Sequence, residues 1–106
     1  MPAADDLFAR LVAGFADNPD VEPPAPGGKF GASALKVGGK IFAMVSQGAL
    51  VVKLPSRRVR ELIEAGEGAP FDAGKGRPMK EWVSIEPTDS GKWAPLAREA
   101  RAFVGR

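Results

Sequence analysis

The chain has 106 residues, of which 44% are hydrophobic and 26% charged, with a formal net charge of +2. This is the size of one domain with one core, and a chain of this length buries roughly two thirds of its unfolded surface. Cysteine and histidine are both absent, which excludes a disulfide framework, a thiolate metal site and the commonest general base, so neither metal nor cofactor is expected.

Neither a basic leader followed by an apolar stretch nor an apolar run of about 18 residues occurs, so a soluble, cytoplasmic protein without a membrane segment is expected. The charges are unevenly placed. From Gly28 to Arg60 the chain carries Lys29, Lys36, Lys40, Lys53, Arg57, Arg58 and Arg60 without an acidic residue, while Asp5, Asp6, Asp17, Asp20 and Glu22 precede that block. Such a run makes a basic face or a solvated surface.

Taken in order, Asp5 and Asp6 suit the first turn of a helix, where carboxylates meet the positive end of the dipole. Leu7, Phe8, Leu11, Val12 and Phe15 form one apolar stripe behind them, and Asp17-Asn18-Pro19 ends the helix. The segment 18–28 holds Pro19, Pro23, Pro24 and Pro26 and reads as an extended surface connection inside a single domain spanning 1–106. Phe30 to Val37 is a first strand. Ile41 to Val45 and Ala49 to Val52 are the next two, entered through Gly38-Gly39 and Gln47-Gly48, which suit tight hairpin turns.

A second helix follows, with Pro55 at its first position, Val59, Leu62 and Ile63 on its buried side and Gly66 as its stop. Its charges oppose the dipole, because Arg57 and Arg58 lie near the positive end and Glu61 and Glu64 further on. Either this cost is tolerated or an anion belongs there. A short strand at Phe71-Asp72, a basic turn Gly74-Lys75-Gly76-Arg77-Pro78 and a strand from Met79 to Glu86 come next. On the last of these Met79, Val83 and Ile85 share one face with Glu81, while Lys80, Trp82, Ser84 and Glu86 share the other. Trp93, Leu96, Ala97, Ala100, Phe103 and Val104 then follow helical spacing, with Pro95 tolerated in the first turn.

The expected fold is therefore α+β, a two-layer α/β arrangement in the order α-β-β-β-α-β-β-α with a five-stranded antiparallel sheet. Its core is expected to contain Phe8, Leu11, Phe15, Ile41, Val45, Val51, Leu62, Ile63, Leu96 and Phe103.

No catalytic residues emerge. Ser33 and Lys36 have the spacing of a serine nucleophile and its lysine, but residues three apart on a strand point to opposite faces, and the companion motifs are missing. Gly38-Gly39-Lys40 echoes the end of a phosphate-binding loop, yet Ile41 stands where a hydroxyl is required. The segment Gly74 to Trp82 is more informative: its glycines permit close approach, Lys75, Arg77 and Lys80 suit phosphates, and Trp82 suits stacking on a base or filling a gap beside the open face.

The stretches Phe30-Gly31-Ala32-Ser33-Ala34-Leu35-Lys36-Val37, Gly39-Lys40-Ile41-Phe42-Ala43, Val51-Val52-Lys53-Leu54 and Gly74 to Val83 resemble the small bacterial YjbR/MmcQ-like proteins and the related N-terminal domain of TfoX/Sxy competence regulators. The resemblance spans roughly Phe30 to Val104. It implies a two-layer fold with an antiparallel sheet, a topology also met in type III secretion chaperones, and a DNA-binding role assigned by structural analogy. It implies no catalytic residues, and the chain is too short for the helical C-terminal domain of full TfoX proteins.

The sequence thus leads to a non-enzymatic binding domain whose first expected partner is nucleic acid, held without sequence preference by Arg57, Arg58, Lys75, Arg77, Lys80 and Trp82. The alternative is a protein-interaction or chaperone-like module using the open sheet face, with Trp82 as apolar anchor. An enzyme ranks third.

Overall fold

A computed structural model describes residues 4–22, 34–46, 48–71 and 80–105. Within them the chain forms three α-helices, α1 (Ala4–Gly14), α2 (Ser56–Glu64) and α3 (Trp93–Val104). It also forms six strands, β1 (Val21–Glu22), β2 (Ala34–Val37), β3 (Lys40–Ser46), β4 (Ala49–Lys53), β5 (Ala69–Pro70) and β6 (Trp82–Ile85), and a 3-10 turn at Pro87–Lys92 leads into α3. The strands make one antiparallel sheet in the order β1-β2-β3-β4-β6-β5. The architecture is α+β, as expected, with one strand more than the expected five.

The added strand lies in the proline-rich connection. Val21 pairs with Val37 and Glu22 with Lys36, so the apolar side chain of Val21 joins the core just before Pro23. The other strand bounds also move. The first expected strand is described from Ala34 onward, the strand expected at Phe71-Asp72 lies at Ala69–Pro70, and the last described strand begins at Trp82. Asp72 and Met79 lie outside the described residues.

Gly38 and Gly39 have φ angles of 60° and 80°, the left-handed pair required by a two-residue hairpin turn whose twist matches its strands. Just beyond, the β2–β3 pairing slips: Leu35 faces Ala43, but Lys36 faces Ile41, so Phe42 has no partner in register. Such a bulge turns two successive side chains to the same side of a strand. Phe42 and Ala43 are accordingly both 0% exposed and both belong to the core, and the Phe42 ring meets Phe15 edge-on at 5.6 Å between centroids.

All three helices contribute to the same apolar cluster, through Phe8 and Leu11 of α1, Val59 and Leu62 of α2, and Trp93, Leu96, Ala97 and Ala100 of α3. Leu35, Phe42, Leu50, Val52, Val83 and Ile85 receive them from the sheet. The helices therefore form one layer on one face. Six of the expected core residues, Phe8, Leu11, Phe15, Val51, Leu62 and Leu96, are buried, whereas Ile41, Val45, Ile63 and Phe103 are half-buried. The bulge explains the exchange at Ile41, because it gives the helix side to Phe42.

Helix α2 is preceded by Pro55 as its cap, with φ −55° and no side-chain hydrogen bond, one position earlier than expected. At its other end Glu67 N–H donates to Leu62 O at 2.9 Å and Gly66 N–H to Ile63 O at 3.1 Å, the paired closure that needs left-handed backbone at Gly66, whose φ is 74°. Helix α3 begins with Trp93, buried with its indole Nε1–H donating to Glu86 O at 3.2 Å. This bond fixes the chain as it leaves β6 and satisfies the ring's polar edge. Among the described residues no helix is long and apolar enough to cross a membrane.

Candidate nucleic-acid interface

Strands β4 and β6 are neighbours although α2 and β5 lie between them in sequence, and their register places Lys53 opposite Trp82 and Val51 opposite Ser84. Since Leu50, Val52, Val83 and Ile85 point into the helix-side cluster, strand alternation sends Val51, Lys53, Trp82 and Ser84 to the opposite face. Their partners continue it: Met44 lies opposite Val51 and Ala34 opposite Met44. Buried Val51, at 0% exposure, thus lies among half-buried Met44, Lys53, Trp82 and Ser84.

The Lys53 ammonium stands 5.8 Å from the centroid of the Trp82 ring, a cation–π pair worth about 0.5–1 kcal/mol at a partly exposed site. Leu54 N–H donates to Glu81 O at 2.9 Å, which ties the turn before β6 to the end of β4 and holds Lys80 and Glu81 beside the start of α2. Lys53, Ser56, Lys80, Glu81 and Trp82 together line a shallow depression of about 520 Å³. One carboxylate therefore accompanies two ammonium groups and an indole.

The six residues expected to contact nucleic acid are distributed unequally. Lys80 and Trp82 come together in the depression. Arg57 follows Ser56 on α2 and is exposed. Arg58 belongs to the helix layer, where its Nε donates to Glu99 Oε1 at 3.0 Å and its Nη2 to Glu99 Oε2 at 3.2 Å, with Glu61 at 3.5 Å. The bond to Glu99, reinforced by the charges of Glu99 and Glu61, raises its already high pKa further. Arg58 therefore has its own anions at the unfavourable end of the α2 dipole, and the arrangement needs no external one to balance it. Lys75 and Arg77 lie outside the described residues.

Lys53 and Ser56 are the site residues that sequence reasoning missed. Alternation along β4 already put Lys53 on one face with Val51, but its proximity to Trp82 depends on β4 pairing with β6 across the intervening α2 and β5. Among the described residues no group of three or more Asp or Glu side chains is placed to hold a metal ion. Comparisons with family models, with curated proteins and with solved structures gave no match.

Proposed function

We propose that the protein is a non-enzymatic, cytoplasmic binding domain that takes nucleic acid on the sheet face away from its helices, at the half-buried Lys53 and Trp82, without sequence preference. The observation that carries this reading is the Lys53–Trp82 pair, set in one depression with Lys80. In it Trp82 is the stacking platform, while Lys53, Lys80 and Arg57 meet phosphates, joined in the proposal by Lys75 and Arg77 of the basic segment that precedes Lys80 in sequence. Arg58 stands apart, being committed to Glu99. Stacking of a base is worth about 1–3 kcal/mol, more than the about 0.5–1 kcal/mol of an exposed cation–π pair, so a bound base displaces the Lys53 ammonium toward a neighbouring phosphate. The likeness to the YjbR/MmcQ-like proteins and the TfoX N-terminal domain is part of the proposal, supported by the α+β order of elements.

The test is fluorescence anisotropy with labelled single- and double-stranded oligonucleotides from about 50 to about 200 mM salt. Each phosphate contact contributes a slope of about 0.7 on single strands, so replacing Lys53 and Lys80 by glutamine flattens it by about 1.4. Absence of binding at the lowest salt, or an unchanged slope in the double variant, would overturn the reading.

A second reading rests on half-buried Ile41 and Met44 beside buried Val51 on the same face. These apolar groups suit a protein-interaction or chaperone-like module with Trp82 as anchor and the lysines as rim. Complexes of that kind would survive nuclease and change little with salt.

A further inference from the structure

On the opposite side of the molecule, α1 and α3 leave a seam between them that the basic run of the sequence does not include. A cavity of about 210 Å³ there is lined by Arg10 of α1, Arg98 and Arg101 of α3, and Asn18, over a floor that includes Leu11 and Phe15. A second cavity of about 240 Å³ shares Arg10, Leu11 and Ala94 with the first and is bounded further by Leu7, Gly91 and Trp93. The seam thus has a cationic end and an apolar end, joined at Arg10. The described residues lining either cavity include no carboxylate.

The charges are incompletely balanced. Asp20 accepts a hydrogen bond from Arg101 Nη2, but among the described residues neither Arg10 nor Arg98 has an acidic partner. Arg101 Nε is buried and, among the described residues, has no hydrogen-bond partner. A buried donor without an acceptor is disfavoured, which leaves the Arg101 side chain incompletely satisfied where it stands. Guanidinium groups present planar forks that match the paired oxygens of carboxylates and phosphates.

We propose that the α1–α3 seam is a binding site for a small amphiphilic oxyanion, a carboxylate or phosphate monoester carried on an aromatic or short aliphatic group. The oxyanion lies between Arg10 and Arg98, the two without an acidic partner among the described residues, with Arg101 held by Asp20 at its side, and its apolar body lies along Leu7, Leu11, Ala94 and Trp93. Each cavity falls below the roughly 300–1,000 Å³ of drug-sized sites, which limits the ligand to a compact molecule. The site is independent of the sheet-face interface, and neither proposal requires the other.

The experiment titrates benzoate, phenyl phosphate, inorganic phosphate and benzyl alcohol into the full chain, followed by amide resonances in NMR and by calorimetry. Saturable binding of benzoate or phenyl phosphate is expected, with shifts at Leu11, Asn18, Ala94 and Arg98, and the tighter of the two identifies the oxyanion. Inorganic phosphate and benzyl alcohol each bind about tenfold more weakly or less, since each lacks one half of the recognition. Arg98→Gln and Arg10→Gln should each weaken binding about tenfold, the share of one charge-assisted hydrogen bond, with unchanged melting temperature because both side chains are exposed. The proposal is overturned by no saturation at about 10 mM ligand, by equal binding of benzyl alcohol, by unchanged affinity in both variants, or by shifts confined to Lys53 and Trp82.

Discussion

Arg58 and Glu99 are 41 residues apart in sequence, yet the guanidinium of one spans both carboxylate oxygens of the other, at 3.0 and 3.2 Å. The pair fastens α2 to α3 over the outside of the core. Its side chains are 38% and 43% exposed, so water screens the attraction, and the bidentate geometry keeps it near the upper end of the range for surface pairs. A double-mutant cycle with Arg58→Gln and Glu99→Gln is expected to give a coupling of about 0.5–1 kcal/mol in urea melts. In the oligonucleotide assay Arg58→Gln should leave the salt slope unchanged. A slope reduced as much as by Lys80→Gln would place Arg58 among the phosphate contacts after all.

Gly68 is expected to tolerate no side chain. A Cβ there would meet Val83 Cγ2 at 2.6 Å and Ile85 Cδ1 at 3.3 Å, and Val83 is β-branched and wholly buried, with little freedom to move. Gly68→Ala should therefore destabilise by about 1–3 kcal/mol through overpacking. Chemical denaturation measures it, and a loss below about 0.5 kcal/mol would mean that the chain before β5 yields easily.

Phe42→Ala should cost about 3–5 kcal/mol, as a large ring removed from a closed core leaves a cavity. Ile41→Ala, one residue earlier, should cost less than half as much, since Ile41 is half-buried and lies outside the core cluster. Equal losses at the two positions would deny the bulge its role in setting the faces of β3.

Glu67 receives the Lys92 ammonium at 2.7 Å, and this hydrogen bond, with the lysine charge, holds its pKa below the ordinary glutamate range. A carboxylate depressed in the folded state binds its proton more weakly there than in the unfolded chain. The stability it adds is thus present above the unfolded pKa and is lost as the pH falls through the folded value. Between about pH 5 and about pH 3, the urea midpoint of Glu67→Gln should fall less steeply than that of the parent. Parallel profiles would show that the contact is silent in solution.

Much of the helix layer was legible because its apolar spacings are local. Leu11 and Phe15, Val59 and Leu62, and Leu96 and Ala100 all fall where a period of 3.6 predicts, and all are buried. The glycine hairpin at Gly38-Gly39 was legible for the same reason. The bulge was not, because Ile41, Phe42 and Ala43 are all apolar and alternation cannot reveal which of them loses its cross-strand partner. β1 was hidden by the prolines after it, its two residues being too few to show a period. At the candidate interface, Lys80 and Trp82 were found from local composition. Lys53 and the α1–α3 arginines were not, since each owes its place to a contact between elements distant in the chain.

Among the described residues, the outermost strands of the sheet, β1 and β5, are two residues each. One of them ends in Pro70, which has no N–H to offer. A second polypeptide seeking to lengthen the sheet would find a landing too short for more than a bond or two, with a donor missing at one end. Among the described residues, little backbone is therefore presented at either margin for hydrogen-bonded growth into filaments or for capture of extended peptides by strand addition. Among the described residues, the long ladder of β3 and β4 lies in the interior of the sheet, flanked by β2 and β6.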